Sequence, residues 1–280
     1  MECFGIVGAG MMGTDIAHLA LSSGFRVVVC DCDAAQLDRA RETLGARFKR
    51  YVAEGRFRQE EMDGLLSRLI TERSIGALAE CDMVLECVTE DRSVKMEVFR
   101  ALDGAVKGGA ILATNTSSIS ITRIASVTKR PESVIGMHFM YPARVMKLVE
   151  LVCGLATTRE TFESAKAIVR QFGKQFVESQ DSPGFLLNRI FAPMINEAVF
   201  ALYEGAGTAE SIDKAMKLGT NVPLGPLELA DMMGLDVVLA VIEVMFDEFG
   251  DPKYRPCPLL KKYVAAGYLG KKSGRGFYTY

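Results

Sequence analysis

The chain has 280 residues, 33 Lys+Arg against 35 Asp+Glu, a formal net charge of -2, and is 49% hydrophobic and 24% charged. That balance belongs to the soluble globular class, excludes disorder, and lacks the strong basic excess of a nucleic-acid binder. No stretch of 18 uninterrupted apolar residues exists, and the most apolar late run, residues 237–246, carries Glu243, so no membrane span is expected.

Residues 1–12 are apolar but glycine-dense and lack a basic n-region, which reads as no secretory signal and predicts a cytoplasmic protein. An apolar run over Cys3–Val7, a glycine-rich turn over 8–13, a helical run over 14–22 and an apolar run over 26–31 predict a βαβ unit. A long helix with a core stripe of Leu37, Ala40, Leu44, Phe48 and Tyr51 is expected over Ala34–Ala53. Further strands are predicted at 83–88, 110–114, 134–137 and 146–152, separated by helices such as 93–102 and 119–127. Strands alternating with helices predict an α/β fold with a Rossmann-type, doubly wound, mainly parallel sheet.

After Phe176 the strand signal stops and the chain turns helical, with Gln180-Asp181-Ser182-Pro183-Gly184 as punctuation. The expected domains are therefore 1–181, with the sheet, and 182–280, all-helical. Helices are predicted at 185–204, 209–218, 226–249 and 259–266, the first with a kink or a locally irregular turn at Pro193, followed by an ordered glycine-punctuated loop over 267–277. The apolar content of 185–204 and 235–246 exceeds what about 100 residues bury readily alone, which predicts a homodimer through this domain. The seven cysteines contain no C-x-x-C pair and read as free, mostly buried thiols with no metal, Cys30 and Cys32 lying in a predicted strand.

Gly8-Ala9-Gly10-Met11-Met12-Gly13 is a G-x-G-x-x-G that follows a strand and opens a helix. Gly8 permits the tight turn, Gly10 admits a pyrophosphate to the helix N-terminus, and Gly13 lets helix and strand approach. Asp31, ending the next strand, places a carboxylate where ribose hydroxyls donate. With Asp33 following, and no Arg or Lys among residues 32–38 to receive a 2'-phosphate, the cofactor is read as NAD rather than NADP.

Of the two histidines, His18 lies inside the first predicted helix and reads as a satisfied helical side chain. His138 follows an apolar strand at the end where open α/β sheets place ligands. Glu150 shares a predicted strand face with Met146, Leu148 and Val152, while Lys147 projects to the opposite face. An unpaired carboxylate in that setting is costly. If the two strands are neighbours, a His-Glu pair results, either an acid/base dyad or a structural ion pair.

Several segments carry a family resemblance: Gly8 to Gly13, Asn115-Thr116-Ser117-Ser118, Gly136-Met137-His138-Phe139, Pro142, Val145 to Glu150, Asp181-Ser182-Pro183-Gly184-Phe185 with Asn188-Arg189, Pro226-Leu227-Glu228-Leu229-Ala230-Asp231 and Gly274-Arg275-Gly276-Phe277-Tyr278. Together they resemble the 3-hydroxyacyl-CoA dehydrogenases, most closely the short bacterial 3-hydroxybutyryl-CoA type, over essentially the whole chain. The resemblance implies NAD-dependent hydride transfer at C3 of a short 3-hydroxyacyl-CoA, with His138 as acid/base, Glu150 as its orienting partner, and Ser117 and Asn188 holding the reacting oxygen. It also implies that Glu90, Lys95, Asn115 and Lys272 join Asp31 around NAD, and that Thr43 and Arg50 meet the nucleotide end of CoA. Alternative readings are a dehydrogenase of free hydroxy or sugar acids and an NAD-binding protein without turnover.

Two departures from the family stand out. Asp15 replaces a small residue and is expected to face outward, while Tyr141 and Arg144 follow His138 where small or proline residues are common. Arg144 leaves open a substrate with a distal carboxylate.

Overall fold

The computed structural model describes residues 1–280, which divide into two compact units, Met1–Ser182 and Pro183–Tyr280. In the first, β1 (Cys3–Val7), α1 (Met11–Ser22), β2 (Arg26–Cys30), α2 (Ala34–Ala53), α3 (Gln59–Leu66) and β3 (Leu69–Glu72) form one half of the sheet and its helices. β4 (Met83–Glu86), α4 (Arg92–Ala105), β5 (Ile111–Thr114), α5 (Ile121–Ala125), β6 (Val134–Phe139), β7 (Leu148–Cys153), α6 (Arg159–Gln171) and β8 (Gln175–Gln180) complete it.

The eight-stranded sheet has the order β3-β2-β1-β4-β5-β6-β7-β8, parallel from β3 to β6, with β6 and β7 antiparallel and β7 and β8 parallel. β1 is buried along its whole length, as a central strand covered on both faces must be. The helices begin where side chains replace the missing intrahelical acceptors. Asp33 accepts from the Ala35 N–H at the start of α2, Asp91 from Val94 at α4 and Thr158 from Thr161 at α6. α1 differs, since Gly10 is its N-cap and offers no side-chain bond.

β3 and β8 are not anticipated by the sequence pattern. Both are edge strands: β3 is half-buried to exposed, and in β8 only Ser179 is buried, so neither carries a core-strand signature. β2 stops at Cys30, leaving Cys32 outside the strand and exposed. β7 begins at Leu148, so Met146 and Lys147 precede it. The Met146 carbonyl accepts from Lys174 Nζ at 2.7 Å. Asp181, in the punctuation segment, accepts from the Ile121 and Thr122 N–H groups and from Ser120 Oγ, tying the end of this unit to the start of α5.

The second unit contains α7 (Leu187–Tyr203), α8 (Ala209–Thr220), α9 (Pro226–Met233), α10 (Leu235–Phe249) and α11 (Pro258–Ala265). The single helix expected over 226–249 is two, because Gly234 adopts φ +99° between them. Helix α7 continues through Pro193. Its core gathers Ile195, Val199, Leu227, Leu235, Val238 and Leu260. The closing segment is fastened by Asp231, whose carboxylate accepts from the Phe277 and Tyr278 N–H groups. No helix is long and apolar enough to cross a membrane.

Candidate active site

The glycine motif bridges β1 and α1 at the point where strand order reverses, between β2 and β4. Gly8 holds φ +102°, and a β-carbon there would stand 2.6 Å from the Cys87 carbonyl oxygen. One on Gly13 would collide with the Gly8 carbonyl, so helix and turn are in contact as the motif requires. Gly10 is different, because a β-carbon there would meet no protein atom within 4 Å. Internal packing does not demand glycine at this position, whereas a pyrophosphate approaching the uncapped N-terminus of α1 does, and the residues fit NAD on that ground.

Asp31 completes the motif. Its Oδ2 accepts from the Ala9 N–H at 2.7 Å and its Oδ1 from the Asp33 N–H at 2.9 Å, which fixes the carboxylate over the glycine turn. Arg73, after β3, donates to the Cys32 carbonyl at 3.2 Å, bringing a guanidinium near Asp31 that the local window 32–38 does not contain.

At the ends of β4 and β5 the expected cofactor residues meet one another. Lys95, 1% exposed, lies 2.7 Å from Glu86 Oε1 and 3.3 Å from Glu90 Oε2. Glu90 Oε1 accepts from Thr116 Oγ1 and from the Ser117 and Ser118 N–H groups. Burial pushes the Glu90 carboxyl up, but Lys95 and these hydrogen bonds outweigh it and hold the group below the usual carboxylate range. Asn115 Oδ1 accepts from the Phe139 N–H, linking the end of β5 to the end of β6. Glu86 is absent from the sequence-derived set; its only signal is an acid closing an apolar strand.

His138 and Glu150 stand directly opposite in the antiparallel register of β6 and β7. His138 Nδ1 is 2.7 Å from Glu150 Oε2, with the imidazole side chain 8% exposed and the carboxylate fully buried. A neutral imidazole donating from Nδ1 presents Nε2 as a base, and the carboxylate opposite stabilises the protonated ring.

Asn188 is buried in the first turn of α7, and Lys272, in the second unit, pairs with Asp236 at 2.6 Å. On α2, Thr43 is half-buried, and Arg50, 61% exposed, reaches Glu54 at 3.5 Å. Met11 is exposed, while Ala9 is buried and Met12 half-buried.

Asp15 corrects an expectation. It is 1% exposed rather than outward-facing, with Arg47 Nη1 of α2 at 2.6 Å and Arg144 Nε at 3.8 Å. A carboxylate excluded from water needs countercharge, and two guanidiniums outweighed the solvent-facing preference of a first-turn acid. Nearby His18 stacks on Phe48 at 4.7 Å, and its Nδ1 has no hydrogen-bond partner in the protein, so it packs but is not satisfied as the sequence suggests. Burial, with Arg47 beside it, pushes its imidazole down to about 4, leaving it neutral near pH 7.

Comparison with known proteins gives the same assignment from both halves of the chain. The family model for the 3-hydroxyacyl-CoA dehydrogenase NAD binding domain matches residues 4–182, and that for the C-terminal domain of the same family matches 184–280. The chain is 49% identical over 276 residues to the 3-hydroxybutyryl-CoA dehydrogenase of Bradyrhizobium diazoefficiens, covering 99% of this chain and 94% of that one. It is 41% identical over 281 residues to the 3-hydroxyadipyl-CoA dehydrogenase of Escherichia coli K12, covering all of this chain and 59% of that one. The crystal structure of (S)-3-hydroxybutyryl-CoA dehydrogenase from Ralstonia eutropha superposes with a TM-score of 0.97 at 45% identity, covering 100% and 99% of the two chains. With the glycine motif, Asp31 and the His138–Glu150 pair in place, the chain belongs to the 3-hydroxyacyl-CoA dehydrogenase family and is an oxidoreductase whose cofactor is NAD.

Proposed function

We propose that the protein interconverts (S)-3-hydroxybutyryl-CoA and acetoacetyl-CoA, with His138 as acid/base and Glu150 as its orienting partner. The observation that carries this reading is the 2.7 Å contact of His138 Nδ1 with Glu150 Oε2 at the end of β6. Glu150 selects the tautomer with the proton on Nδ1, and Nε2 takes the hydroxyl proton during oxidation and returns it during reduction. NAD, when bound, supplies the acceptor for the hydride leaving C3. Ser117, whose N–H is held by Glu90, is assigned to the reacting oxygen. For Asn188 the same assignment rests on the family resemblance alone.

A short uncharged acyl group is supported by Arg144, whose guanidinium already faces Asp15 within the chain. The test is NADH consumption with acetoacetyl-CoA beside free acetoacetate. Turnover of the thioester alone supports the reading. Equal turnover of the free acid favours a hydroxy-acid dehydrogenase, and no turnover of either leaves only NAD binding.

Recognition of the CoA nucleotide is assigned to Thr43 and Arg50 on α2. Arg47 lies between them in sequence, but its guanidinium is engaged with Asp15, whereas Arg50 is exposed. Arg50→Glu is expected to raise KM for acetoacetyl-CoA about tenfold or more while kcat stays within about threefold, as for lost uniform binding. A pantetheine thioester lacking the nucleotide should be used equally by mutant and parent. Equal harm to both substrates, or to neither, removes this helix from CoA recognition.

We also propose a homodimer through the helical unit, supported by exposed Ile190, Tyr203, Val237 and Phe246 on α7 and α10. Light scattering at roughly micromolar concentration should give the mass of two chains, and a one-chain mass contradicts it.

A further inference from the structure

Glu86, the last residue of β4, is fully buried and takes no part in the chemistry above. Its Oε1 accepts from the Val88 N–H and from Lys95 Nζ, and its Oε2 accepts from Thr114 Oγ1, each at 2.7 Å. One carboxylate therefore joins β4 to β5, to α4 and to its own following loop. That loop is the wall behind the glycine turn, since a β-carbon on Gly8 would stand 2.6 Å from the Cys87 oxygen and 3.0 Å from the Val88 nitrogen.

We propose that Glu86 is a positioning residue of the cofactor site: acting through Lys95, it frees Glu90 to hold the 116–118 loop while it fixes Val88 behind Gly8. This rests on the reading that the glycine motif and the Glu90–Ser117 loop serve one NAD site. A buried ammonium needs countercharge. Glu86 lies nearer to Lys95 than Glu90 does, at 2.7 Å against 3.3 Å, so Glu90 Oε1 is left to Thr116, Ser117 and Ser118. Without the inner carboxylate, Lys95 draws on Glu90 alone and competes with that loop.

The charge state gives an independent readout. Burial pushes Lys95 down, but Glu86 and then Glu90 push it up and prevail, so it ends above the usual lysine value. The remaining titratable neighbour is the Cys87 thiol, which burial pushes up and keeps neutral. A raised folded-state value stabilises the fold below the unfolded value, and that stabilisation is lost as pH rises through the folded value. Removing Glu86 lowers the folded value, so the stabilisation shrinks and its loss ends at a lower pH.

The experiment compares the parent with Glu86→Gln, Lys95→Met and the double variant, by NADH fluorescence titration and by melting across alkaline pH. Glu86→Gln should raise the NADH Kd about tenfold or more and make the alkaline fall in Tm smaller, ending at lower pH. The double variant should match Lys95→Met in NADH Kd and melt no lower than it, because the introduced amide oxygen can still accept from the Val88 N–H and both substitutions then remove the same Lys95 link. An NADH Kd within about twofold of the parent for Glu86→Gln, or additive losses in the double variant, overturns the proposal. Where Glu86→Gln does not fold, Glu86→Asp replaces it: its shorter side chain cannot hold Val88, Thr114 and Lys95 together. Its NADH affinity must fall likewise, and affinity near the parent's overturns the proposal. Parental turnover of acetoacetyl-CoA is measured alongside, so failure of this proposal is distinguishable from failure of the assigned function.

Discussion

Replacing His138 by Ala is expected to cut turnover of acetoacetyl-CoA about 100- to 10,000-fold, the usual contribution of a positioned general acid or base. NADH affinity should barely change, because the imidazole lies at the end of β6 while the glycine turn follows β1. The substitution also takes the imidazole from Glu150, which is fully buried, and removing one member of a buried pair costs roughly 3–5 kcal/mol of stability. His138→Asn is the companion variant. It retains an N–H close to the position of Nδ1 and lacks a base at Nε2, so it should fold better than the alanine variant and be equally inactive. Steady-state rates with NADH titrations decide the matter, and a loss below about tenfold in both variants contradicts the acid/base role. Glu150→Gln should retain the fold, lose rate and change the shape of the pH–rate curve, because an amide cannot stabilise the protonated ring. A parental curve and rate would leave Glu150 only a structural role.

What could be read from the sequence was whatever depends on short-range order. The glycine motif, Asp31 and the apolar run leading into His138 each declare themselves within a few residues, and the register of β6 against β7 then supplies the His138–Glu150 contact. What escaped depends on partners distant in the chain. Asp15 reads locally as a surface acid, yet Arg47 on α2 and Arg144 after β6 are the groups that allow its burial. Glu86 reads as the polar end of a strand until Lys95 and Thr114 arrive from α4 and β5. The edge strands β3 and β8 expose most of their side chains and so lack the apolar run that marks a central strand. The split between α9 and α10 was hidden because the apolar pattern continues on both sides of Gly234, and only the backbone at that residue breaks.

Asp31→Ser combined with Cys32→Arg is expected to turn cofactor preference toward NADPH. Asp31 does two things in the structure, offering acceptor oxygens beyond β2 and holding the Ala9 N–H of the glycine turn at 2.7 Å. Serine keeps a short acceptor for the turn and removes the charge that repels a 2'-phosphate. The new arginine at exposed position 32 joins Arg73, which already donates to the Cys32 carbonyl, so two guanidiniums would face the phosphate. Hydrogen bonds to charged groups contribute about 1.5–3 kcal/mol each, so the kcat/KM ratio of NADPH to NADH should rise about 100-fold or more. Part of that change is lost NADH binding, since the ribose hydroxyls no longer meet a carboxylate. The single Asp31→Ser variant measures that part, and its gain with NADPH should be smaller than the double variant's. Adding Arg73→Ala to the double variant should return some of the NADPH gain, because the second guanidinium is then absent. An unchanged ratio in the double variant would mean that Asp31 holds the turn without choosing the cofactor, and that discrimination is exercised by the remaining acids at this edge, Asp33 and Glu72.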